Sequence, residues 1–179
     1  RVVITIHFWL SRQFEERQVS KRYQAITRGF APDEGTIDHP LRKLLDHGPK
    51  RKSDGAQEAL TQFKTLSKTE HPFPSGKYET TRYSHVELFP KTGRRHQLRR
   101  HTNHINCPII GDTKHGDIRQ NHAFHERFGF CRMFLHATQL TFEQPITGEP
   151  IRIDAPLWPD FQQALVATKL VKGGIASTL

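Results

Sequence analysis

Residues 93–101 read Gly-Arg-Arg-His-Gln-Leu-Arg-Arg-His, which places four arginines and two histidines in nine residues, directly after Lys91 and Thr92. Arginine carries a planar fork of donors that matches a phosphate or a carboxylate bidentately. Leu98, Thr102 and Ile105 recur at helical spacing, so a helix is expected to open near Arg94 and to stop at Asn106 and Pro108. Cations at a helix start oppose its dipole by roughly a few tenths of a kcal/mol each. Arg94 and Arg95, set at that unfavourable end, point to an anion: a phosphate or a buried carboxylate. A solvated basic face is the plain alternative.

A second arrangement with chemical content is Lys21-Arg22-Tyr23, an aromatic ring flanked by cations and followed by Arg28. Such interleaving suits stacking on a base while phosphates are held on either side; a core tyrosine is the competing reading. The chain holds twelve histidines. His101 with His104, and His122 with His125, repeat an i, i+3 spacing that could hold a metal. They lack cysteine partners at finger spacing and any His-Glu-x-x-His run, so no metal is expected. Asp112 follows Ile109-Ile110-Gly111 and is either catalytic or a turn residue that binds backbone amides. Cys107 has basic neighbours that would lower its pKa, yet no base is placed beside it, and a structural thiol is the better reading. No Gly-rich phosphate loop, nucleophile elbow or dinucleotide fingerprint occurs.

Composition bounds the rest. A chain of 179 residues fits one domain, residues 1–179, with a sizeable core. The net charge of +9 favours a polyanionic partner, nucleic acid before membrane. No apolar run approaches the roughly 18 residues of a membrane span, and no secretory signal is visible, so the cytoplasm is the expected location. Cys107 and Cys131 are the only cysteines and are expected to be reduced. The first residue is Arg and the sole methionine is Met133, which reads as a fragment or processed chain.

The elements that must position these groups are expected as follows. Val2–Trp9 is β-branched and aromatic and reads as a strand; Ser11–Arg17 reads as a helix or turn. Lys21–Arg28 alternates and ends at Gly29 as a strand, followed by a loop over Ala31–Gly35. Asp46–Gly55 reads as a mobile basic loop. Strands are expected over Thr61–Thr69, Tyr83–Leu88, Phe134–Phe142 and Ile151–Ala155, with helices over Gln120–Phe128 and Pro159–Val171. Strands outnumber helices and most connections are of hairpin length. The fold class is therefore α+β, a mainly antiparallel mixed sheet with flanking helices, without internal repeats or a second domain.

The ordered motifs resemble those of RluA-type pseudouridine synthases. Gly93–His101 continuing through Pro108-Ile109-Ile110-Gly111-Asp112 is similar to the family's Gly-Arg-x-His-Gln-Leu/Ile-Arg-x-His and His-Pro-Ile-x-Gly-Asp signature. Lys21-Arg22-Tyr23-Gln24-Ala25 resembles its Lys-x-Tyr-x-Ala strand, and Leu135-His136-Ala137 its Leu-His-Ala strand. Arg82-Tyr83, Pro90–Gly93, Arg99-Arg100 and Asn121 look most like the tRNA-modifying TruC branch. The resemblance runs from about Phe14 to Leu165 and covers the larger, C-terminal part of a pseudouridine synthase catalytic domain.

The resemblance implies isomerisation of a uridine in RNA to pseudouridine, without a cofactor. A flipped uracil is detached from C1′, turned and rejoined through C5. In the family an aspartate starts the reaction, an arginine pairs with it, and a tyrosine stacks on the base. The arginine carries over as Arg99 and the tyrosine as Tyr23. Lys21, Arg22, Arg94, Arg95, His96, Gln97 and Arg100 are the expected RNA contacts. The partner implied is RNA, tRNA before ribosomal RNA, with no membrane and no obligate protein partner. One departure is clear. The family's aspartate sits in a His-Arg-Leu-Asp-Arg loop upstream of the Lys-x-Tyr strand, and no Asp precedes Lys21; Asp33, Asp38, Asp46 and Asp54 lie downstream and lack the motif. The expectation is that the loop lies ahead of residue 1 and that this chain binds RNA but does not catalyse alone. The alternatives are an RNA-binding module without catalysis and a metal-dependent hydrolase.

Overall fold

The structure is a computed structural model that describes residues 2–44, 55–76 and 78–171, with backbone only for residues 2–6. The expected basic loop at Asp46–Gly55 lies, apart from Gly55, outside the described residues. In chain order the elements are α1 (Val2–Glu15), β1 (Ser20–Arg28), β2 (Glu34–Asp38), β3 (Leu41–Arg42), β4 (Ala56–Gln57), β5 (Leu60–His71), β6 (Thr81–Pro90), α2 (Gln97–His104), α3 (Ile118–Phe128), β7 (Leu135–Glu143), β8 (Pro150–Asp154) and α4 (Pro159–Ala167).

Six strands form one sheet in the order β2-β5-β6-β1-β7-β8, and β3 pairs with β4 in a separate two-stranded ribbon. Every pairing is antiparallel. The α+β expectation holds, with the mixed sheet resolved as wholly antiparallel. β1 occupies the centre, with Tyr23 opposite Leu88 on one side and Ala137 on the other. A register shift between Arg22 and Tyr23 falls beside the aromatic ring, where a bulge re-aims a side chain.

Consecutive residues of β1 are buried because both faces of the sheet are covered. Ala25 belongs to a cluster with Val86, Leu88, Ile109 and Leu98 of α2, and Tyr23 packs against it. Ile26, one residue on, belongs to a second cluster with Phe124 of α3, Phe134 and Phe161 of α4. Strand alternation thus assigns Tyr23 and Ala25 to the α2 side and Ile26 to the α3 and α4 side.

The first segment differs from expectation. Val2–Trp9 is not a strand; it is the opening of α1. A short run of β-branched and aromatic residues fits a buried strand or a helix equally, and context overrides the weak propensity. The end of α1 is tied to the sheet by Gln13, whose amide donates to Glu143 O at 2.8 Å and accepts from Glu143 N at 2.8 Å. α2 also starts later than expected, at Gln97, because His96 adopts a left-handed conformation with φ of 54° and closes the preceding turn. Arg94 and Arg95 therefore precede the helix rather than sit in its first turn. α3 begins two residues early, at Ile118, since Asp117 caps it by accepting from Arg119 N and Gln120 N. α4 ends at Ala167 rather than Val171, and β2 takes up Glu34 and Gly35 from the expected loop.

Candidate active site

The turn Pro90–His96 closes over one end of β1. Gln97 holds it there. Buried at 4% exposure, its Oε1 accepts from Thr92 Oγ1 at 2.6 Å and from Arg94 N at 2.9 Å. Its Nε2 donates to Leu60 O at 3.0 Å and Thr61 Oγ1 at 2.9 Å. Two lone pairs and two hydrogens are all in use, so the amide has nothing left to offer a ligand.

Two residues into α2, Arg99 turns back to Asp112. Nε and Nη2 donate to the two carboxylate oxygens at 2.7 and 2.6 Å. Asp112 is 1% exposed and also accepts from Lys114 N and His115 N, both at 2.9 Å. Burial by itself would raise the Asp112 pKa; the fork of Arg99 and the two amides outweigh it and hold the carboxyl at about 2. The turn carrying Asp112 is built around Gly111, at φ of 79°, where a Cβ would lie 1.8 Å from Arg132 O. Asn121 clasps the same turn, accepting from Gly111 N at 2.8 Å and donating to Asp112 O at 3.1 Å. Asp112 is thus both the turn residue expected and the residue that fixes Arg99.

Beside this pair, His96 Nδ1 and His115 Nε2 lie 3.0 Å apart. Burial first, then the charges of Arg99 and Lys114 and Arg95, lower the His96 pKa against the pull of Asp112. His115 is lowered by burial and Arg99, again opposed by Asp112. Neutral rings can share that hydrogen bond, one donating and one accepting.

His96 and Arg99 line a cavity of about 200 Å³ together with Tyr23, Lys21, Gly93 and Arg94. Burial raises the Tyr23 pKa and lowers that of Lys21. Two of the five guanidinium hydrogens of Arg99 are spent on Asp112, which leaves Nη1 for a second oxygen. No acidic residue lines the cavity among the described residues. One pocket therefore brings together an aromatic ring, a fixed guanidinium and a lysine, as base stacking beside an anion requires.

A sequence profile of RNA pseudouridylate synthases matches residues 5–104, more than half of the chain. The chain belongs to the RNA pseudouridylate synthase family. It is 46% identical over 159 residues to tRNA pseudouridine synthase C of Salmonella typhimurium, a match covering 87% of this chain and 61% of that protein. Against tRNA pseudouridine synthase C of Haemophilus ducreyi the identity is 48% over 155 residues, covering 86% and 64%. The chain therefore spans less than two thirds of these relatives. Human RNA pseudouridylate synthase domain containing 4 superposes with a TM-score of 0.66 at 28% identity, covering 90% of this chain and 67% of that one.

Within this family fold, the residues singled out from sequence divide into two groups. Tyr23, Arg99, Lys21, Arg94 and His96 meet at the cavity, and Gln97 reaches it as the strut of its wall. Arg22 pairs with buried Glu87. Arg95 and Arg100 reach toward the ribbon segment instead, donating to Leu44 O at 3.4 Å and Arg42 O at 3.0 Å. Arg94 Nε donates to Glu58 O at 3.0 Å. His101 spends both ring nitrogens on Thr61 Oγ1 and His39 O, at 2.9 and 3.0 Å. No group of three or more His, Cys, Asp or Glu is set to hold a metal among the described residues. Cys107 is buried and its thiol is pushed up by that burial, against the opposing charges of Arg28 and Lys68, so the expected lowering does not occur. Both cysteines are free thiols. No described helix is long and apolar enough to cross a membrane. Sequence reading missed His115, whose link to His96 is made only by the turn after Asp112.

Proposed function

We propose that this chain supplies the base-stacking and carboxylate-binding part of a site that isomerises uridine to pseudouridine in tRNA, in the cytoplasm, without a cofactor. The observation that carries this is the convergence of the Tyr23 ring and the Asp112-fixed Arg99 guanidinium on one cavity. A flipped uracil stacks on Tyr23. Arg99 holds, through Nη1, the carboxylate that acts at the ribose, and keeps it ionised. The bond from uracil N1 to C1′ breaks, the base turns, and C5 bonds to C1′. Tyr23 then assists removal of the proton from C5 while N1 regains one. Lys21, Arg94 and Arg95 provide positive charge for the flanking phosphates, with Arg22, His96 and Arg100 at its margin.

Because no described acidic residue lines the cavity, the 179-residue chain is expected to bind tRNA without releasing tritium from tRNA labelled at uridine C5. Grafting the family's His-Arg-Leu-Asp-Arg loop ahead of residue 1 should restore release. Arg99→Ala in that graft should lower turnover by at least about 100-fold, the scale for loss of one positioned electrostatic contact. Full release by the Arg99→Ala graft would refute the role of Arg99, and absence of tRNA binding would refute the reading as a whole.

A further inference from the structure

A larger cavity, about 800 Å³, lies apart from this site. It lies at the opposite end of β1, five residues from Tyr23 and so about 17 Å along the strand. Its size falls within the range of ligand clefts. Two exposed aromatic rings line it, Phe30 at 43% and Tyr78 at 46% exposure. Each has a guanidinium over its face, Arg82 at 5.0 Å from the Phe30 centroid and Arg28 at 5.2 Å from that of Tyr78. Gln120 of α3 also lines the cleft, is 3% exposed, and leaves Oε1 without a hydrogen-bond partner. Its Oε1 is inaccessible from the cleft, so Gln120 belongs to the floor beneath the rings. Arg82 is anchored by Glu70 at 3.0 Å, which also accepts from Thr80 Oγ1 at 2.6 Å, and Arg28 lies 3.9 Å from Asp117. Each arginine thus lies beside a carboxylate as well as over a ring.

We propose that this cleft is a second RNA contact, which holds an unstacked base on the exposed rings of Phe30 and Tyr78. Aromatic rings interleaved with guanidinium groups are the recurrent platform for single-stranded bases. Glu79 in the lining is an acceptor and disfavours a phosphate at this spot, so the base rather than the backbone enters. β1 alternation sets Arg28 with Ile26, on the other side of the sheet from Tyr23. The two sites therefore take parts of a folded RNA that are remote from each other, not neighbouring nucleotides. This rests on the reading of the chain as an RNA-binding pseudouridine synthase.

The test is equilibrium binding of a tRNA transcript to the 179-residue chain and to the double variant Phe30→Ala/Tyr78→Ala. Ultraviolet crosslinking with peptide mapping runs alongside. Loss of one stacked base should weaken Kd by roughly 5- to 150-fold. The slope of log Kd against log salt should stay unchanged, because no phosphate contact is removed. Phe30→Tyr/Tyr78→Phe should retain full affinity, and crosslinks should map to the peptides containing Phe30 and Tyr78. Wild-type affinity in the alanine variant overturns the cleft and leaves the active-site reading intact. A free mononucleotide bound as tightly as tRNA overturns the assignment to RNA. Failure of the wild-type chain to bind tRNA at all removes both.

Discussion

The two ends of β1 are built on opposite principles. At the Tyr23 end the polar groups are spent inward: the amide of Gln97 makes four bonds, and Asp112 takes the Arg99 fork and two backbone amides. At the Arg28 end aromatic rings stand half exposed under guanidinium groups. The first arrangement fixes one side chain, Arg99, at the cost of many. The second leaves binding capacity on the surface. Rigidity is needed where a reacting group must be held, and accessible stacking surface where affinity is gathered.

The contrast can be broken by substitution, and the effects should fall in a definite order. Asp112→Ala leaves the partly buried Arg99 guanidinium without its counter-ion and two backbone amides without their acceptor. It should destabilise the fold by about 3–5 kcal/mol, seen as a melting temperature lower by about 10 °C for a chain of this size. Gln97→Ala removes four hydrogen bonds, two of them fully buried, and should lose about 2–3 kcal/mol in denaturant titration. An acid titration probes the same end without mutation. Asp112 is held at about 2 in the fold against 3.8 in the open chain, so its stabilising contribution of about 2 kcal/mol is present above pH 4. It should fade as pH falls from about 4 to 2, and a wild-type stability that falls no more steeply there than that of Asp112→Asn would contradict the ion pair. At the other end, Tyr78→Ala and Phe30→Ala should change stability by less than about 0.5 kcal/mol, as exposed positions do. Destabilisation matching that of Gln97→Ala would mean that the cleft is packing and not a surface for RNA.

Legibility from sequence followed the range of the interactions. β1, β5, β6 and β7 are readable because alternation is a local signal, and Leu98 with Thr102 announces the buried side of α2. Val2–Trp9 misleads because an apolar run of that length carries no period that separates strand from helix. The start of α2 is hidden because the left-handed residue is His96 rather than a glycine. The pairing of Arg99 with Asp112, and of His96 with His115, joins residues on different elements and has no spacing rule behind it. Motif resemblance singled out Arg99 and Tyr23; only coordinates show what holds Arg99 in place. The Arg28 and Arg82 cleft has no contiguous motif at all, since its two arginine–aromatic stacks join β1 and β6 to loop residues.

The central place of β1 also carries a consequence for biosynthesis. β1 is synthesised before both of its neighbours, β6 and β7, so both of its hydrogen-bonding edges stand open until they follow. Open strand edges recruit other chains, and charged residues along them oppose this. Lys21, Arg22 and Arg28 lie on this strand, so the side chains proposed to attract RNA also act as like-charged guards that keep nascent copies apart until β6 and β7 arrive.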